Sequence, residues 1–410
     1  MRRQALMLAA VLLGMGLEGQ AQRPSADVTQ WRGAARDGII TGLTAPNAWP
    51  ETLSERWKVE IGTGYSTPLL VGNRVYQFSR IGDNETMTAL DAASGKIVWQ
   101  AGYAATFTMN PAAKQHGPGP KSTPVFFNGR LYSIGMTGVV TAWDAATGKQ
   151  VWQKPGTGPE MLYTSHAFSP MIDAGHVIFH VGGNDKGALT AFDLNTGAVV
   201  WSWTGDGPGY ASPMVATIDG VRQIITPTQV KIVGVDATSG ALLWERPLVH
   251  QFVSNSITPI VSGQTVIVAG TGPLFAFAVA RRAGQWTTEQ IWENAELPLR
   301  YATPVVAGDM LFGLSGRNSG QYYAMDARTG KTLWTSDGRQ AAHASIGRAG
   351  DLLFSLESDG ELVIARNSQT AFEPLRKYKV SANETWAQPA ISGNRVFVKD
   401  VTALTLWTWN

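Results

Sequence analysis

The 410-residue chain contains no cysteine. That excludes a disulfide, a haem attached through Cys-x-x-Cys-His and a lipid-modified cysteine, so the fold must rest on packing alone. Charge is sparse as well: Asp, Glu, Lys and Arg make up 16% of residues, with a formal net charge of +2. Nothing in that balance draws in nucleic acid or an anionic membrane. Long apolar runs are missing. The longest, residues 5–17, falls well short of the roughly 20 residues a membrane span needs. With Arg2 and Arg3 before it and Gly19-Gln20-Ala21 after it, residues 1–21 read as an export signal. The expected location is the periplasm or outside the cell, with no membrane span and no lipid anchor. Histidine is scarce, at six, with no His-x-His or paired-carboxylate spacing, so no metal is assigned. No serine-nucleophile motif or phosphate-binding glycine loop appears.

Glycine (45) and tryptophan (15) are plentiful, and both recur on a period. In five copies Gly follows Asp by four and Trp follows Gly by four. These are Asp91 and Trp99, Asp144 and Trp152, Asp193 and Trp201, Asp236 and Trp244, and Asp326 and Trp334. Trp57 and Trp292 extend the series, and Tyr378 takes an eighth slot. The phrase Asp-x-x-Ser/Thr-Gly is hairpin chemistry: the carboxylate accepts from backbone donors just downstream, and Gly supplies positive φ. The Trp then faces a neighbouring unit, and Trp244 is taken as standing in a fully regular repeat. Upstream each unit carries a second phrase, such as Tyr65-Ser66-Thr67-Pro68 or Tyr301-Ala302-Thr303-Pro304. After it come an apolar run, a Gly-centred turn and another apolar run. Each unit thus holds four short strands with frequent turns, and four-stranded units at this period form a ring of blades.

The expected fold is all-β, an eight-bladed propeller of four-stranded antiparallel blades spanning residues 56–410. After Pro389 there is room for three strands, so the strand around Trp57 should complete the eighth blade and close the ring. Residues 22–55 are left as an N-terminal arm.

The phrase Ala-x-Asp-x-x-Thr-Gly-x-x-x-Trp resembles the tryptophan-docking repeat of the pyrroloquinoline-quinone (PQQ) propellers. That group includes quinoprotein dehydrogenases and the propeller subunit of the outer-membrane β-barrel assembly machinery. The arm segment Trp31-Arg32-Gly33-Ala34-Ala35-Arg36-Asp37-Gly38 resembles one found on many exported PQQ-like propellers. For an enzyme, the resemblance implies PQQ with Ca²⁺, the cation held by carboxylates and an Asn. Asn110, Glu160, Asn255 and Asn318 lie near loop ends, and no spacing selects among them. The disulfide that clamps the cofactor in quinoprotein alcohol dehydrogenases cannot form here.

A site would sit where the inner strands meet the axial channel, three residues before each repeat Pro. Tyr65, Lys121, Tyr210, Tyr301 and Trp386 occupy that position, as does His343 in the degenerate copy His343-Ala344-Ser345-Ile346, with His166 and Asn255 one residue away from it in their blades. Amphipathic rings, a Lys and a His around one opening would form a funnel for a planar or sugar-like ligand. Such residues also simply suit a wet pore. Two connections are unusually long, Trp99 to Lys121 and Trp152 to Ala167, and would form a lid carrying Asn110, His116, Glu160 and Tyr163. The reading is an exported binding or scaffold protein, whose partner is a protein or small molecule of the cell envelope. The rival is a Cys-free PQQ/Ca-dependent dehydrogenase of an alcohol, sugar or polyol. For the scaffold reading, partner capture falls to the exposed blade sides or to the arm.

Overall fold

In the computed structural model, described over residues 27–156, 165–249, 255–269 and 272–409, eight four-stranded antiparallel sheets are arranged as propeller blades. The export-signal segment 1–21, Glu160 and Tyr163 lie outside the described residues. Blades 1 to 7 are built from consecutive strands within residues 69–104, 125–154, 171–203, 214–247, 260–294, 305–335 and 344–379. Blade 8 takes three strands from residues 390–408 and its outermost strand, Ser54–Glu60, from the other end of the chain. Trp57 pairs with Leu406 there, as the repeat count requires.

The repeat phrases act as read. In the turn of blade 3, Asp193 Oδ1 accepts from the backbone N–H groups of Asn195 and Thr196 and from the Thr196 hydroxyl. Asp91 and Asp144 do the same in blades 1 and 2. The following strand carries a register shift beside its Trp in each regular blade, for instance between Ala191 and Phe192 opposite Trp201 and Val199. Such a bulge re-aims the side chain, here toward the next blade. Trp201 lies over Gly240 of blade 4 and donates its indole N–H to Ala237 O at 3.2 Å. Trp57, Trp99, Trp152 and Trp292 dock the same way, on Gly95, Gly148, Gly197 and Gly330.

Trp244 departs from the pattern. Its indole donates to Gln223 Oε1 of its own blade at 2.7 Å, and its ring lies over Gly234. The cause is blade 5, whose turn reads Arg281-Arg282-Ala283-Gly284 between two long strands. With no Asp-x-x-Ser/Thr-Gly turn to receive it, the ring packs edge-on against Phe277 at 5.6 Å instead. The expectation of a fully regular site at Trp244 is therefore corrected.

Nearer the axis, the Ser or Thr before each repeat Pro ties blade to blade. Thr67 N–H donates to Thr123 Oγ1, Thr123 N–H to Ser169 Oγ, Ser169 N–H to Ser212 Oγ and Thr258 N–H to Thr303 Oγ1. These buried bonds satisfy backbone donors that no strand neighbour reaches.

The arm crosses the far end of the inner strands and touches all eight blades. Val28 bridges Leu70 of blade 1, Thr29 O accepts from Phe126 N of blade 2, and Ile40 N donates to Arg348 O of blade 7. Thr44 N donates to Gly393 O of blade 8. Between these points two buried arginines fill the axis. Arg36 donates to Ser169 O, Pro170 O and Pro213 O of blades 3 and 4, each at 2.8 Å. Arg32 donates to Thr303 O and Pro304 O of blade 6, and Trp31 to Thr258 Oγ1 of blade 5. A guanidinium's planar fork of donors suits carbonyls converging from several strands. Burial pulls Arg32 down to about 10 and Arg36 to about 9, so both stay cationic at neutral pH. The arm's Arg32 and Arg36 are thus spent inside the ring, while Ala34, Ala35 and Ile39 stay exposed.

Candidate functional site

The opposite end of the channel is the mouth, where the inner strands begin. Tyr65, Tyr301, His343 and Trp386 converge there from blades 1, 6, 7 and 8. Trp386 is central: it stacks on His343 with centroids 3.5 Å apart, meets Tyr301 edge-on at 5.4 Å, and lies 5.8 Å from Tyr65. The first long connection covers them. Its 3-10 turn Pro111–His116 brings His116 edge-on to both Trp386, at 5.4 Å, and Tyr301, at 6.2 Å. Arg80 anchors the connection by donating to Ala105 O and lying over the Phe107 ring. Pro120 O accepts from Tyr65 N.

Lys121 ends this connection and stays at the mouth. Its Nζ donates to Gly117 O at 3.2 Å and Gly119 O at 3.4 Å, and lies 5.7 Å from the Tyr65 ring centroid. Burial lowers it to about 8, against the field of Glu85, which pulls upward. Glu85 itself is fully buried and accepts from Tyr103 Oη at 2.7 Å and Met136 N at 2.6 Å. Desolvation raises its carboxyl above the usual range despite those bonds. Burial and the Glu384 charge push the Tyr65 phenol up to about 12. His116 is lowered by burial and by Lys121, and burial brings His343 down to about 4. At neutral pH the mouth therefore presents neutral rings, one lysine and a rim carboxylate, Glu384, which accepts the Trp386 indole N–H. That arrangement can sandwich a flat or ring-shaped ligand and fix a polar edge of it.

Two of the sequence-selected residues serve elsewhere. His166 is buried, with His180 the neighbouring charge, and burial draws both imidazoles down to about 4. The Asn255 amide donates to Thr228 O, Gln229 O and Leu248 O, while its backbone oxygen accepts from Tyr210 N and Ala211 N. It is a brace between blades 4 and 5. Its Oδ1 has no partner, but the groups bonded to Asn255 are all neutral, whereas a bound Ca²⁺ wants carboxylates. Asn318 donates to Gln321 in its own blade. Asn255 and Asn318 are thus engaged by neighbouring protein groups. Glu357, Asp359 and Glu361 do bring carboxylate oxygens within 4.8 Å of one another. Lys377 fills that group, bonding Glu361 and lying 3.0 Å from Glu357. Glu85 and Glu384 were not singled out from sequence, because neither belongs to a repeat phrase that points at the axis.

A profile of the family outer membrane protein assembly factor BamB matches residues 83–336. The chain is 29% identical over 213 residues to the dehydrogenase subunit of the quinone alcohol dehydrogenase of Komagataeibacter europaeus, and 31% identical over 213 residues to that of Gluconacetobacter polyoxogenes. Each match covers 44% of this chain and 28% of the relative, so the chain spans less than a third of those proteins. Among solved structures, BamB from Moraxella catarrhalis superposes with a TM-score of 0.63 at 18% identity, covering 88% of this chain and 98% of that one. Quinohemoprotein alcohol dehydrogenase from Comamonas testosteroni gives 0.69 at 14% identity, covering 93% and 80%. At such identities the superpositions speak to fold alone.

Proposed function

Because the chain belongs to the family of the outer membrane protein assembly factor BamB, we propose that it is an exported, PQQ-like β-propeller acting as a binding or scaffold protein of the cell envelope. In this reading residues 1–21 are its export signal. The observation that carries it is the ring cluster at the mouth. Rings from four blades meet there, with Lys121 beside Tyr65. Converging aromatic rings with one lysine suit a flat ligand that carries a polar edge. A second feature supports protein binding on the blade sides. The outer strand of blade 3, Val199–Trp203, has no charged residue between Asp193 and Asp206 and exposes Val199 at 60% and Val200 at 46%. Uncharged, exposed edge strands invite pairing or docking.

A fragment screen by saturation-transfer NMR tests the mouth as a ligand site. Hits on the wild-type protein should be lost in Trp386→Ala, while thermal unfolding changes little; hits that persist unchanged in Trp386→Ala would refute a ligand site here. The second reading, a PQQ- and Ca²⁺-dependent dehydrogenase, draws support from the quinone alcohol dehydrogenase relatives. Reconstitution with PQQ and Ca²⁺ separates the two. A quinone chromophore that survives gel filtration, together with dye reduction abolished by Lys121→Ala, would favour the enzyme.

A further inference from the structure

We infer that Lys121 is a carbonyl-capturing amine, which forms an imine with an aldehyde entering the mouth. Its surroundings are those of a neutral amine. Two backbone carbonyls, Gly117 O and Gly119 O, take two N–H groups, and among the described residues no carboxylate lies within ion-pair distance of Nζ. A neutral amine has two N–H groups and one lone pair, so satisfying both leaves the lone pair for an electrophile. Tyr65 lies beside it, and the ring cluster continues from Tyr65 through Trp386 to His116 and Tyr301, offering faces to a flat aldehyde. The titratable groups facing Lys121 are Glu85 from blade 1, His116 from the covering turn, and Tyr65, with Glu384 at the rim. Desolvation is the leading influence on the lysine, and it favours the nucleophilic form.

The chemistry balances without an oxidant. Nζ attacks the carbonyl carbon and a C–N bond forms. The carbonyl oxygen then leaves as water with the two amine protons, giving the imine. Added cyanoborohydride delivers hydride to the imine carbon and water supplies the nitrogen proton, which makes the product permanent.

The molecule carries its own control. Lys399 also donates to two backbone carbonyls, Asp400 O and Val401 O, and burial lowers it to about 8 as well. It is fully buried, at 0% exposed, so no aldehyde reaches it. Lys58, Lys96 and Lys149 are exposed and lie outside any such enclosure.

The experiment treats the full chain with benzaldehyde and cyanoborohydride at pH 7.5 and maps adducts by peptide mass spectrometry. Lys121 should label at least tenfold faster than the exposed lysines, since a lower pKa enriches the neutral amine. Lys399 should stay unlabelled and Lys121→Arg should remove the fast site. Because His116 covers the mouth, His116→Ala is run in parallel, and slow wild-type labelling that becomes fast at Lys121 in the variant also supports the inference. Labelling spread evenly over the lysines in both proteins overturns it. The inference rests on the mouth being a ligand site only for the identity of the natural carbonyl. An even spread alongside fragment hits lost in Trp386→Ala would sink the amine and leave the binding reading standing.

Discussion

At the scale of single residues, the inter-blade contact is an indole set on a glycine. A Cβ on Gly240 would collide with Trp201 Cε3, and the backbone there has φ +72°. Gly240→Ala should therefore cost more than an exposed Gly→Ala change, about 1–3 kcal/mol through overpacking and strain. Trp201→Ala should cost about 3–5 kcal/mol, as for a large buried aromatic. Asp193→Ala, which loses exposed turn bonds, should cost the least. Denaturant midpoints ranking Asp193→Ala as the worst of the three would refute the assignment of Trp as the packing element. Histidine gives the second residue-scale prediction. His166, His180 and His343 are buried, and burial lowers each to about 4. Their folded values lie below the unfolded value near 6.5, so the unfolded chain takes up protons first. Stability is then full above pH 6.5 and falls as pH drops toward 4, by up to about 3 kcal/mol per residue. The raised carboxyls of Glu85 and Glu357 act in the opposite direction, so the clean measurement is a difference. His166→Gln should flatten the fall in melting temperature between pH 7 and 4.5; a slope identical to wild type contradicts the buried neutral imidazole.

At the scale of elements, the arm and the mouth show how far sequence reading reached. The blades were legible because Asp, Gly and Trp recur at fixed spacing, and each spacing has a local physical cause in turn geometry. Mouth positions were legible by the same symmetry: three residues before the repeat Pro, or before Ile346 in the degenerate copy, puts Tyr65, Tyr301, His343 and Trp386 on one axis. Symmetry misled where the chain breaks it. Blade 5 changed its turn, and Trp244 turned back onto Gln223. His166 and Asn255 each stand one residue off the repeat position, and both are absorbed into packing. The arm was opaque for a different reason. Apart from Asp37 O and Gln30 Oε1 within the arm, Arg32 and Arg36 find their acceptors 133 to 272 residues away, and those distant acceptors are backbone oxygens, which carry no sequence signal. The arm's role is testable at Arg36. Arg36→Ala strips donors from three buried carbonyls and leaves space on the axis, so it should cost about 2–4 kcal/mol. Arg36→Lys should recover only part of that, since an ammonium cannot reproduce the planar fork. Full recovery by Lys in urea titrations would show that charge alone matters there.

At the scale of the whole molecule, the ring is closed twice by the same stretch of chain, and the two closures differ in kind. The strand Ser54–Glu60 supplies the outer layer of blade 8 through pairing with residues 403–408, while the arm ahead of it ties the inner ends of all eight blades. Most contacts in a propeller run within a blade or to its neighbour, as the clusters around Trp201 and Trp292 do, so cooperativity depends on the ring having no free end. A chain beginning at residue 51 keeps the closing strand and loses the arm. It should unfold in one transition at a lower temperature, because every blade still has two neighbours. A chain beginning at residue 65 also loses Trp57 and with it the contact on Gly95 of blade 1, leaving blade 8 with a bare edge at Leu404 and Leu406. That protein should show a broad or two-step melt by calorimetry, with protease cleavage beginning in blade 8. If the two truncations melt alike, the arm rather than the closing strand holds the ring together. If the shorter chain melts like the full one, strand closure contributes nothing to cooperativity, and the blades must be stable as an open arc.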